Sequence, residues 1–218
     1  MKERPIIFNA EMVNAILSSR KTQTRRIINP QPELTVSSGF KWKGALFGAG
    51  SNDCETNRNF AHIKCPFGEI GDRLWVRETW ARCNIDQYSH DMAYRATTPD
   101  DWPKGGRWRQ SNHMPRWASR ITLEITGMRV ERLNSINEND ALAEGLSEIT
   151  KDGRLYKYGI PDRDGYPGND NCGWPWHEWE RYPISAYSKL WQSIYGAESW
   201  QANPWVWVLE FKRVDDEA

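Results

Sequence analysis

Short apolar runs and alternating apolar and polar residues predict five β-strands along the chain. The predicted strands cover residues 6–8, 26–28, 73–80, 120–130 and 204–212. The last of them is apolar on both faces in its first half, so we expect it to lie at the centre of a sheet. Glu78 falls on the more apolar face of the strand 73–80, where a buried carboxylate needs a partner unless it reaches solvent at the strand end.

Apolar residues three and four positions apart predict three amphipathic helices. Asn9 caps the first helix, a Ser-x-x-Glu capping box at 135–138 opens the second, and Pro183 opens the third. The helices are expected to end at positions 18–19, at Gly145 and at Gly196.

Three stretches between these elements have no sustained period and are rich in turn-forming residues. They cover about 34–70, 84–118 and 148–182, and we interpret them as long loop insertions. No internal repeat or low-complexity linker divides the chain. The pattern therefore predicts one α+β domain over residues 1–218, a small mixed barrel decorated by three insertions.

The charge, the apolar content and the cysteines of the chain limit the classes of function that we expect for it. Twenty-nine basic residues balance twenty-nine acidic ones, so any contact with nucleic acid has to be local. No apolar run is long enough to span a bilayer and no signal-type apolar core follows the N-terminus, so we expect a cytoplasmic protein without membrane contact. The four cysteines form no C-x-x-C pair, and we expect neither a metal site nor a cofactor.

A cationic turn follows the first helix at residues 19–26, with the sequence SRKTQTRR. Such a cluster can simply complement the negative end of the helix dipole. It can equally form an anion or nucleotide site, in which Lys21 supplies a point charge and Arg25 or Arg26 a bidentate guanidinium.

Thirteen tryptophans are a second anomaly of composition. Between residues 102 and 117 several of them are interleaved with arginines, a mixture that suits a surface that stacks bases and holds phosphate. The alternative is a loop that is anchored by its aromatic side chains.

Three features of the chain together resemble the ASCH domain, a member of the PUA-like superfamily. The turn at 19–26 stands where that family has a G-x-K-x-x-x-R turn, with Ser19 at the glycine position. Gly71 and Asp72 introduce a barrel strand, and residues 206–211 are similar to the closing strand. The chain also resembles the longer ASCH-type proteins that bacteriophages and prophages carry, and this likeness runs over nearly the whole length.

This resemblance implies a PUA-like mixed β-pseudobarrel flanked by helices, with a cleft lined by the basic turn. It also implies RNA or a modified nucleoside as the partner. Arg20, Arg25 and Arg26 in the turn are then the candidate ligand-binding residues, together with Trp75 and Arg77 of the strand 73–80.

One branch of the family hydrolyses N4-acetylcytidine with a lysine and a threonine from this turn and a glutamate from the later helix. The resemblance assigns these roles to Lys21, Thr24 and Glu144, whereas many other ASCH proteins have glutamate at the position of Thr24. In this chemistry Lys21 takes the Thr24 proton, Thr24 attacks the amide carbonyl, and Glu144 protonates the leaving amine. Glu78 is a second candidate for the acid.

Three functions remain open at this stage. The first is binding of nucleic acid or a modified nucleoside without chemistry, which we place first because a likeness of fold supports a ligand class better than a reaction. The alternative is an amidohydrolase of N4-acetylcytidine-like nucleosides. A further alternative is a ribonuclease that uses the same basic cleft.

Overall fold

A central five-stranded sheet organises the fold. The computed structural model describes residues 1–35, 39–47, 60, 65–83, 91–100, 102–103, 106–168 and 173–214. The strands of the central sheet are β1 (Glu3–Ile7), β2 (Gln23–Ile27), β6 (Arg73–Arg77), β9 (Thr122–Arg132) and β12 (Trp205–Val214).

The sheet is mixed but mostly antiparallel, in the order β1-β6-β9-β12-β2. Only β1 and β6 run parallel. Parallel pairing requires a long crossover connection, which here contains the first helix, β2 and the long segment after β2. Strand β12 pairs with β9 on one side and β2 on the other, which confirms its predicted central place. In the described part of the chain β1 and β2 each pair on one side only, so the sheet is open rather than a closed barrel.

Three α-helices that lie wholly within the described ranges flank the sheet, and two of them have the caps that the sequence predicts. The Asn9 side chain accepts from the Met12 amide, and Gly196 ends the last helix at φ 96°. The second helix is capped by Asn137 rather than Ser135, because residues 133–135 form a separate 3₁₀ turn. The helices are α1 (Ala10–Leu17), α2 (Glu138–Ala143) and α3 (Pro183–Tyr195).

Two apolar clusters cover the two faces of the sheet, and β12 contributes to both. Trp207, Leu209 and Phe211 pack into the cluster that holds α1, whereas Val206 and Val208 pack with α3. Alternating side chains of a strand point to opposite faces, so burial on both sides explains why this strand is apolar throughout.

The predicted strand over 73–80 is interrupted after β6. Glu78 and Thr79 are not in a strand, and from Trp80 onward the chain pairs with Tyr94 and Arg109 instead of continuing in the central sheet. The break is accompanied by a tertiary contact, in which Arg120 binds the Glu78 carboxylate just beyond the end of β6.

The three predicted insertions contain short strands where the structure describes them. Residues 36–38, 48–59, 61–64, 84–90, 101, 104–105 and 169–172 lie outside the described ranges. The segment 148–182 is not irregular throughout, contrary to the prediction from the sequence, because it begins with a β-hairpin. The backbone amides of Arg154 and Leu155 donate hydrogen bonds to the Asp152 carboxylate and close the turn of this hairpin. The short strands are β3 (Glu33–Leu34), β4 (Phe40–Trp42), β5 (Ala45–Phe47), β7 (Trp80–Cys83), β8 (Asp91–Tyr94), β10 (Ser147–Thr150) and β11 (Tyr156–Gly159).

None of the helices in the described ranges combines the length and the apolar character needed to cross a membrane.

Candidate functional site

Only residues 19–22 of the predicted turn are a connection, because residues 23–26 belong to strand β2 and pair with β12; we keep the name basic turn for the whole segment 19–26. Its first part folds back onto the end of α1. The backbone amides of Arg20 and Lys21 both donate to the Ala15 carbonyl, each at 2.9 Å. Ser19 makes this reversal possible by adopting φ 60°, in the left-handed region that favours glycine. The turn thus satisfies carbonyl groups at the helix end and directs Lys21 into the interior, where the residue is 2% exposed.

The end of α2 meets the same turn. Lys21 and Glu144 form an isolated β-bridge, and the Thr22 amide donates to the Ala143 carbonyl at 2.9 Å. Gly145 ends the helix at φ 107°, and a Cβ atom there would lie 2.8 Å from the Ala15 Cβ. Glycine therefore allows α2 to approach α1 closely enough to bring Glu144 beside the turn.

Lys21 and Glu144 form a buried ion pair. The Lys21 Nζ lies 2.7 Å from Glu144 Oε2 and also donates to the Glu144 carbonyl at 2.8 Å. The two side chains are 0% and 3% exposed. Burial lowers the pKa of Lys21 from its usual value, although the Glu144 carboxylate opposes that change. The site thus holds a lysine whose proton is easier to remove than that of a lysine in water.

Arg25 joins the second oxygen of this carboxylate to a larger network. Its Nη1 atom donates to Glu144 Oε1 at 3.1 Å, and Nη2 donates to Glu131 and Asp140 at 2.6 and 3.0 Å. Arg129 binds the same two acids from the other side. Because three carboxylates already surround Arg25, its main role in this network is to orient Glu144.

A cavity of about 190 Å³ opens beside this network, and we call it the Thr24 cavity. Three aromatic side chains of α3 form one wall, and the basic turn with Glu144 forms the other. Its lining residues are Ile7, Asn9, Met12, Thr24, Arg25, Arg26, Glu144, Tyr187, Leu190, Trp191, Ile194 and Tyr195.

Two hydroxyl groups of the cavity wall are without a hydrogen-bond partner among the residues that the structure describes. They belong to Thr24, which is 1% exposed, and to Tyr187, which is 3% exposed. Burial, reinforced by the nearby Glu144 carboxylate, raises the pKa of Tyr187 well above its ordinary value. Tyr187 therefore stays protonated and can donate a hydrogen bond to a ligand, while the Thr24 oxygen is free to react.

The predicted ligand-binding residues divide into two groups. Arg26 lines the Thr24 cavity with its guanidinium 5.0 Å from the Phe8 ring centre, and Arg25 lines it as part of the network. Arg20 instead donates to the Gly145 carbonyl at 2.9 Å and holds the turn against α2. Arg77 stacks on Trp75 at 4.7 Å, and neither of these two side chains lines the cavity.

Glu78 occupies a different environment from Glu144. Its carboxylate receives two hydrogen bonds from Arg120, at 2.9 and 3.0 Å, and the residue is 2% exposed. The structure thus brings Glu144, and not Glu78, to Lys21.

Sequence reasoning missed the aromatic wall. The spacing of Tyr187, Trp191 and Tyr195 correctly predicted one stripe of a helix, but a stripe of this kind is usually core. The signal was that two of the three carry a hydroxyl group, which is unusual for a purely apolar stripe.

Metal ligands do not gather in the described ranges, where no group of three His, Cys, Asp or Glu side chains could hold an ion. Cys54, His62 and Cys172 lie outside those ranges. Comparisons of the chain with models of protein families, with curated proteins and with solved structures find no match.

Proposed function

We propose that this chain binds a modified nucleoside in the Thr24 cavity and hydrolyses an N-acyl amide on its base. The observation that carries the proposal is that Thr24 and Glu144 line one small cavity and that the buried Lys21 binds Glu144 from behind the cavity wall, with Nζ 2.7 Å from Oε2. A nucleophile, a lysine with a lowered pKa and a carboxylate are the groups that amide cleavage through an acyl-enzyme requires.

The size and walls of the cavity support a small ligand. At about 190 Å³ it is smaller than the roughly 300–1,000 Å³ of sites that enclose whole drug-sized molecules, so it accommodates a base rather than a polymer. The aromatic rings of Tyr187, Trp191 and Tyr195 offer faces for stacking. Arg26 and the Tyr187 hydroxyl supply donors for carbonyl oxygens.

The reaction begins with transfer of the Thr24 hydroxyl proton to the neutral form of Lys21. The Thr24 oxygen attacks the acyl carbonyl, and the Tyr187 hydroxyl donates to the oxyanion that forms. The amide C–N bond then breaks as the Lys21–Glu144 pair returns a proton to the leaving amine. Water subsequently hydrolyses the threonine ester and releases a carboxylate, which restores the free hydroxyl.

The order of elements supports an ASCH-type, PUA-like assignment. The segment 18–22 connects α1 to β2, Gly71 and Asp72 precede β6, and Glu144 is the C-cap residue of α2. In this proposal the open five-stranded sheet is the major part of the pseudobarrel that the resemblance implies.

Incubation with N4-acetylcytidine, with product separated chromatographically, tests the proposed reaction. We expect turnover by the wild type, a loss of at least about 10³-fold in kcat for Thr24→Val, and partial retention in Thr24→Ser. Thr22→Val is the matched control, since Thr22 lies in the same turn but is exposed.

Equal activity of the wild type and Thr24→Val contradicts the assigned nucleophile. If the wild type binds the nucleoside without turning it over, the chain is a binding protein. If RNA is cleaved instead, the ribonuclease alternative replaces the proposal.

A further inference from the structure

A second surface carries chemistry that the Thr24 cavity does not use. Trp117 is 63% exposed, and the Arg82 guanidinium lies 5.2 Å from the centre of its ring. Beneath it, the buried Trp80 meets the Trp117 ring edge-on at 6.0 Å, and Arg109 lies 5.1 Å from the Trp80 ring. We call Trp117 with Arg82 and Arg109 the Trp117 platform.

A separate small core fixes this platform. Trp80, Met114 and Ala118 are each at most 2% exposed and pack together apart from the two main clusters. Trp80 and Arg109 exchange both backbone hydrogen bonds, at 2.7 and 3.2 Å. Trp117 lies next to the buried Ala118 in one short 3₁₀ turn, so the packing of Ala118 in this small core fixes the position of the exposed Trp117 ring.

Within the described part of the chain, the two arginines of the platform are not neutralised. No carboxylate of the described residues forms an ion pair with Arg82 or Arg109, and both side chains are exposed. Charge is also uneven along the sequence, because residues 79–120 contain seven Lys or Arg and four Asp whereas the whole chain is balanced. The exposed Trp117 indole has one guanidinium group beside it, and a second lies on the adjoining Trp80 ring. An aromatic face next to positive charge is the combination that binds base and phosphate in a single strand.

We propose that the Trp117 platform binds single-stranded nucleic acid, with a base stacked on Trp117 and backbone phosphates held by Arg82 and Arg109. This surface is separate from the Thr24 cavity, so the proposal stands whether or not the chain hydrolyses a nucleoside. Stacking and phosphate contacts are tolerant of sequence, so we expect weak dependence on base identity.

Fluorescence anisotropy with labelled oligouridylate and oligothymidylate of about ten nucleotides tests the platform. We expect Trp117→Ala to raise Kd by about five- to a hundredfold, and Trp117→Phe to raise it less. The double variant Arg82→Gln/Arg109→Gln should reduce the slope of log K against log salt by about 0.7 for each phosphate that the protein no longer neutralises. Comparing the two oligonucleotides distinguishes RNA from DNA.

Arg154→Gln is the matched control, because it removes an exposed arginine from the turn between β10 and β11, outside the platform. Thermal unfolding of each variant verifies that the fold is retained. Undetectable binding of both oligonucleotides by the wild type at low salt overturns the proposal, as does equal weakening by Arg154→Gln. If an acidic peptide binds as tightly as the oligonucleotides, binding depends on charge alone and the stacking role of Trp117 is overturned.

Discussion

At the scale of single residues, Ser19 shows how the basic turn is made. The turn reverses the chain immediately after α1, and its reversal requires a positive φ that Ser19 supplies at 60°. An L-residue with a side chain is strained in this region, typically by about 1–2 kcal/mol.

Ser19→Gly should raise the free energy of unfolding by up to about 1 kcal/mol, because relief of the strain exceeds the added entropy of the unfolded chain. The matched control is Ser18→Gly, at φ −87°, which loses the hydrogen bond from Ser18 Oγ to the Asn14 carbonyl at 2.8 Å. We expect this control to lower stability by about 0.5–1.5 kcal/mol. Urea denaturation measures both, and a loss of stability in Ser19→Gly contradicts the strain argument.

At the scale of elements, the ends of two helices place the site. Helix α2 ends at Gly145 directly against α1 and the basic turn, which delivers Glu144 to Lys21. Helix α3 ends at Gly196, where a Cβ atom would have nothing within 4 Å. Both glycines have a positive φ, but only at Gly145 would an added Cβ atom also clash with a neighbouring residue.

Gly196→Ala should lower the free energy of unfolding by about 1–3 kcal/mol through backbone strain alone. Gly145→Ala should lower it further, since its new methyl group must displace Ala15 or Lys21, and such overpacking adds about 1–3 kcal/mol. We also expect Gly145→Ala, and not Gly196→Ala, to reduce nucleoside turnover. Equal effects of the two substitutions on stability and on turnover would show that the close approach at Gly145 is unimportant.

At the scale of the whole molecule, charged and phenolic groups are buried where the sheet, α2 and α3 meet. Arg25 and Arg129 share Glu131 and Asp140, and the network extends through Glu144 to Lys21. Removing one member leaves another charge buried without its partner, which is strongly destabilising. The same region buries the Tyr187 phenol, so stability there depends on pH.

The raised pKa of Tyr187 predicts a loss of stability in alkali. Below pH 10 the phenol is neutral in both states and its contribution is fully present. Above pH 10 only the unfolded state ionises, so up to about 1.4 kcal/mol is lost per pH unit until the folded pKa is reached. Tyr187→Phe should therefore lose stability less steeply above pH 10 than the wild type.

Denaturation at a series of pH values measures this difference, with Tyr166→Phe as the control because Tyr166 is 65% exposed. Lys21 acts with the opposite sign, because its pKa is lowered and stability from this group rises with pH up to about 10.5. Lys21 is present in both proteins, so its contribution cancels in the comparison. Parallel pH profiles for the wild type and Tyr187→Phe would contradict the prediction.

Much of the architecture could be predicted because its signals are local. The Asn9 cap, the glycine stops of α2 and α3 and the two apolar faces of β12 follow from spacing and from the chemistry of short segments. The sequence-based predictions were wrong where contacts between distant residues compete with the preference of the local segment. The strand over 73–80 breaks at Glu78, where Arg120, 42 residues away, binds the carboxylate.

By itself, the sequence determined the three main helices and the approximate positions of the five strands of the central sheet, since backbone preference and periodicity act over a few residues. Only the tertiary structure decided that Glu144 rather than Glu78 is the partner of Lys21, across 123 residues of chain. It also decided that Tyr187, Trp191 and Tyr195 form a cavity wall. The physical reason is that a buried charge needs a group of opposite charge beside it, and the apolar stripe of a helix needs another element packed against it. In both cases the partner is distant in the sequence.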